Sequence, residues 1–137
     1  MTTMTAAAPN PMVPLAARIL LGAIFLVSGI RKLMAYAGTV AYFTKLGFPA
    51  PDAMAVIAIV IEVGGSILLI VGWRTRWVAW LLALFVLIAA FAAHRFWEFD
   101  AAQMNNQMNH FLKNFAIIGG MFYVAAFGAG RYSIDKA

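Results

Sequence analysis

The chain has 137 residues, of which 64% are apolar and 11% charged, with ten basic side chains against five acidic and no cysteine. An ordinary soluble domain is about 45–50% apolar and about 25% charged, so this composition excludes a soluble surface and implies a lipid-facing one. The missing cysteine excludes disulfides, thiolate metal sites and thiol exchange by the chain itself, and the scattered basic pairs exclude nucleic acid as a partner.

Residues 1–14 are small and polar, are interrupted by Pro9, Pro11 and Pro14, and read as a flexible tail. They lack the basic n-region of a cleavable signal, so the first apolar segment is expected to stay as a helix. That segment, 15–33, reads LAARILLGAIFLVSGIRKL. At ~1.5 Å per residue it reaches ~28 Å, about the thickness of a hydrocarbon core. Residues 36–46 are too polar to span, but Tyr36, Val40, Phe43 and Leu46 repeat near helical spacing, which predicts a short interfacial helix. Tyr36, Tyr42 and Phe48 suit the headgroup zone. Pro49 and Pro51 then force a turn, and Asp52 is placed to cap the second span, 52–73.

A basic turn with Trp73 and Trp77 at its lips leads into the third span, 77–97. The polar stretch EFDAAQMNNQ reads as a loop, 108–128 as the fourth span, and 131–137 as a tail that leaves the membrane. The fold class is therefore all-α, an antiparallel bundle of four transmembrane helices. An even number of spans puts both termini on one side. With Arg18, Arg95 and Lys113 set aside, that side carries Arg74, Arg76, Arg131 and Lys136, against Arg31, Lys32 and Lys45 opposite, so the positive-inside rule places the termini in the cytoplasm.

An ionisable side chain within a span costs ~2.5–3.5 kcal/mol on insertion scales, so each one asks for a reason. Glu62 lies ten residues past Asp52, or ~15 Å deep, near the midplane. It is either a packing group, paired or protonated, or a carboxylate that handles a proton or ligand. On the fourth span Asn106, Asn109, His110, Lys113, Asn114 and Ile117 form a stripe on one face. A helix end emerging into water accounts for Asn106 to His110, and less well for Lys113 and Asn114. Snorkelling is the plain reading for Lys32 and Arg18 at the two ends of the first span. His94, near the end of the third, is either an interfacial residue or a site member.

Chain direction brings Lys32, His94, His110, Lys113 and Asn114 into the half of the bundle away from the termini, with Glu62 at its floor. Donors around a carboxylate between apolar walls suit a polar-headed lipophile such as a quinone, or a proton path. The expected partners of Glu62 are Lys113, Asn114 or His94, with Arg18 as competitor from the other side. No metal site is expected, because the two histidines and Glu62 show no H-x-x-x-H or E-x-x-H spacing. Haem ligation by His94 and His110 is the remaining metal reading. On the first span Gly22 and Gly29 share a face and should admit another helix.

The ordered set ARILLGAIFLVSGIRKL, the F-x-x-L-G-F-P-x-P connection over Phe43–Pro51, IEVGGSILLIVGWRTRWVA around Glu62, His94 and a closing GAGRYSID resembles the DoxX family of small bacterial inner-membrane proteins. The likeness runs from about Leu15 to Asp135. It implies four helices in the bacterial cytoplasmic membrane and an association with redox biology, with Arg18, Lys32, Glu62, Arg76 and His94 at family polar positions. Three functions compete: a redox-associated subunit binding a quinone or similar lipophile, a small proton-coupled transporter that oligomerises, and an anchor for a soluble oxidoreductase. The first is favoured by the resemblance and by the donors around Glu62. A transporter would want polar residues through the full depth, and an anchor would want longer charged loops.

Overall fold

The computed structural model describes residues 6–137, and the first five residues of the expected tail lie outside them. The described residues form α1 (Met12–Met34), α2 (Tyr36–Lys45), α3 (Pro51–Val71), α4 (Thr75–Ala93), a 3₁₀ turn (Phe96–Glu98) and α5 (Ala101–Phe127), with no strand among them. α1, α3, α5 and the segment formed by α4 with its 3₁₀ turn are each long and apolar enough to cross a membrane, so the chain is a polytopic four-helix membrane protein.

Four helix starts differ from the sequence expectation: α4 begins two residues early, at Thr75, and the other three differ for a local reason. α1 begins at Met12 because Pro14 falls in its first turn, where a missing N–H costs no hydrogen bond. Pro51 opens α3, so Asp52 sits in the first turn beside the helix dipole and is not the cap. α5 begins at Ala101 rather than near residue 108. Asp100 caps it by accepting the Gln103 N–H, and the polar stretch taken for a loop is thereby helical.

α1 packs along α3, and α4 along α5. The first seam is made by glycine. A Cβ on Gly22 would lie 2.7 Å from Ile70 Cγ1, and one on Gly29 would lie 2.7 Å from Val63 Cγ2 and 3.0 Å from Glu62 Cβ. Phe25, Leu69, Leu82, Val86, Ile118 and Met121 join the four helices in one buried core. α1 and α5 touch only lightly.

The end carrying the termini is tied down by hydrogen bonds. Arg18 is 1% exposed and donates to Leu69 O at 3.2 Å, to Ile70 O at 2.5 Å and to Tyr132 O. It thus satisfies carbonyls in the last turn of α3 that the helix itself leaves open. The segment after α5 does not simply leave the membrane end: Ile134 and Asp135 donate N–H groups to Val71 O and Gly72 O, and the Asp135 carboxylate caps α4 at Thr75. Arg76 closes the far side by donating to Ala125 O and Ala126 O.

Candidate functional site

At the opposite end, Thr39 sets the elbow between α1 and α2. Its buried hydroxyl lies 3.1 Å from both Lys32 O and Ala35 O, sharing its proton between a carbonyl at the end of α1 and the one that also accepts the Thr39 N–H. That elbow lays α2 across the bundle. Tyr42, Phe43 and Leu46, followed by Phe48, then roof a cavity of about 250 Å³ whose remaining walls come from α1, α3, α4 and α5. Ile24, Phe25, Phe85, Val86, Ile88 and Ile117 make most of the lining apolar.

The polar lining consists of Ser28, Lys32, Glu62, His94 and Asn114, with the Tyr42 phenol above. Glu62 is 4% exposed, and Lys32 reaches it: Nζ lies 3.0 Å from Oε1 and 2.8 Å from Oε2, and also donates to Ser28 Oγ at 2.7 Å. Both oxygens thus lie within ion-pair distance of the one ammonium, and no other side chain among the described residues donates to Oε2. A buried carboxylate left alone would be strongly disfavoured, and this pairing answers that cost.

His94 ends α4, and its Nδ1 lies 2.8 Å from Gln107 Oε1 on α5. With the Gln107 amide oxygen as acceptor, His94 Nδ1–H is the donor of this contact and Nε2 is the ring nitrogen left free of it. The His110 ring stacks on His94 at 5.0 Å between centroids and 25° between planes. Outside the spans, burial holds the Tyr42 phenol protonated above its ordinary range.

The structure therefore gathers Lys32, Glu62, His94 and Asn114 around one cavity, with His110 behind His94. Two expectations are corrected. Lys113 does not meet Glu62; it is exposed and lines an outer groove between α1 and α5. Arg18 is no ion-pair partner of Glu62 either, because its guanidinium is spent on carbonyls at the other end of α3. The partner is Lys32, which the sequence places in the same polar half of the bundle but not among the expected partners of Glu62. Ser28 and Gln107 were missed. Ser28 lies four residues before Lys32, and Gln107 three before His110, so helical spacing alone pointed to both.

The sequence pattern that defines the DoxX family matches residues 13–95, which takes in the Lys32–Glu62 pair and His94. The chain is similar to "Inner membrane protein YphA" of Escherichia coli (strain K12), at 36% identity over 129 residues covering 94% of this chain and 92% of that protein. It is also similar to "Inner membrane protein YqjF" of the same organism, at 38% identity over 122 residues covering 89% of this chain and 88% of that protein. No solved structure matches the chain.

Proposed function

This chain belongs to the DoxX family and is a multi-pass protein of the bacterial inner membrane, and we propose that it binds a small ring-headed lipophile, such as a quinone, in the cavity roofed by α2 and so serves a redox system of that membrane. One observation carries the reading: a buried carboxylate paired with an ammonium faces a mostly aromatic and aliphatic cavity. Ligand sites are mostly apolar with a few converging polar groups, and this cavity has that balance. Its size, below the roughly 300–1,000 Å³ of sites for drug-sized molecules, suits a single ring rather than a fused system. Lys32 and Glu62 would hold the polar head, His94 and Asn114 would orient it, and a lipid tail would lie among the apolar walls.

A transport path is the weaker reading. The half of the bundle between Glu62 and the termini is filled by Leu69, Leu82 and Met121, all fully buried, and Arg18 beyond them has both terminal nitrogens bonded to backbone carbonyls. The binding reading is tested by purifying the protein within its native lipid and identifying ring-headed lipophiles by mass spectrometry. Enrichment over bulk lipid in the wild type, lost in a folded Glu62→Gln variant, is the expected result. Equal recovery from both, or enrichment in neither, would overturn it.

A further inference from the structure

The cavity and the outer groove between α1 and α5 share two wall residues, Ile24 of α1 and Ile117 of α5. The groove faces the bilayer: Leu20, Tyr123 and Ile24, which line it, are 74%, 72% and 45% exposed. Two isoleucine side chains therefore lie between a polar-floored cavity and lipid.

The rest of the seam makes this the natural place to part. α1 is keyed into α3 through Gly22 and Gly29, and α5 is packed along α4, so each helix is held on its far side. Between α1 and α5 the close approach is Leu21 against Gly120, where a built Cβ would lie 3.0 Å from Leu21 Cδ2. Ile24 and Ile117 stand three residues further along each antiparallel helix, toward the cavity. Hydrocarbon and isoleucine are equally apolar, so parting the two side chains exposes nothing that lipid cannot cover. On the water side, by contrast, the aromatic roof of α2 is anchored by Thr39.

We propose that the cavity is loaded sideways from the bilayer, through the α1–α5 seam, with Ile24 and Ile117 as the gate that sets what passes. This rests on reading the cavity as a ligand site, but its test needs no ligand. The cysteine-free chain accepts a reporter thiol at Ala92, on the cavity wall, and a reference thiol at Ala101, exposed at the start of α5. In nanodiscs, where both faces meet water, N-phenylmaleimide enters through lipid and a charged methanethiosulfonate only through water. Relative to Ala101→Cys, Ala92→Cys should favour the lipophilic reagent over the charged one by about tenfold or more. Adding Ile117→Trp should slow the lipophilic reaction by about tenfold, through overpacking of the seam. Ile117→Ala should speed it, which keeps the test open if the tryptophan variant folds poorly. Equal relative rates for the two reagents, or an Ala92→Cys rate indifferent to residue 117, would overturn the gate. Such a result leaves the lipophile reading to its own test, and a failed lipid analysis with gated labelling would remove the ligand and keep the entrance.

Discussion

In a helix every Cα–Cβ bond tilts toward the N-terminus, so Lys32, close to the C-terminal end of α1, is aimed back along the helix into the bilayer. Its hydrogen bond to Ser28, one turn earlier, records that direction. Glu62 is tilted the opposite way, up α3 toward the same interface, so the two side chains converge from different depths. Lys113 belongs to a helix that starts at this interface, so its stem leans outward and it stays exposed. Depth counted along the sequence is blind to this tilt, which is why Lys113 looked like the partner. Lys32→Met, which strands a buried carboxylate, should cost about 3–5 kcal/mol, and Lys32→Met with Glu62→Leu should cost less. Thermal unfolding in detergent decides it, and a double variant less stable than the single would contradict the pairing. Asp135 carries a pH prediction. Burial raises its carboxyl pKa, but the Thr75 hydroxyl, the N–H groups of Thr75 and Arg74 and the Arg74 charge outweigh that and leave it below the ordinary carboxylate range. A folded pKa below the unfolded one gives stability that is full above the unfolded pKa and is lost as pH falls through the folded one. The melting-temperature advantage of the wild type over Asp135→Asn should therefore be full at neutral pH and vanish in strong acid. An advantage independent of pH would remove the ionic part of this cap.

Among the elements, the α1–α3 seam was legible because small residues at seven-residue spacing on a membrane helix have few other uses. Gly29→Leu should sharply reduce folded yield, since its first added carbon already meets Val63 and Glu62. Yield and melting temperature equal to the wild type would mean that the helices are not keyed there. The inner face of α5 was only half legible. Its polar stripe is wide: a helix end in water accounts for Asn106 and Asn109, but Lys113, expected in the site, is exposed as they are. The line that turns inward is Gln107, His110 and Asn114, each partly buried. Stepping on by three or four residues leads from it to Ile118, Met121 and Ala125 in the core, and that continuation was the available signal. The fold-back of the last residues onto the α3–α4 turn had no such signal, because it rests on backbone carbonyls and one carboxylate rather than on a periodic pattern.

For the molecule as a whole, four spans follow from hydropathy because an apolar helix pairs its backbone groups within itself and can cross lipid alone. Which helices touch does not follow, because a helix surface and a lipid tail are equally apolar. Orientation rests on the small excess of basic residues on the side of the termini, and we predict both termini in the cytoplasm. Reporter fusions after Ala137 and between Glu98 and Ala101 check this, and an external signal from Ala137 would reverse the orientation without changing the helix count. The central claim is that α1 and α3 assemble a ligand site around the Lys32–Glu62 pair, with Lys113 outside it. Its most direct test is the equilibrium affinity of the purified protein for a short-chain quinone, measured on the wild type, Glu62→Gln, Lys32→Met and Lys113→Ala. Saturable binding that falls by tenfold or more in the two site variants, roughly the loss of one charge-assisted hydrogen bond, and that is unchanged in Lys113→Ala is the predicted result. Binding that survives in Glu62→Gln and fails in Lys113→Ala would contradict it.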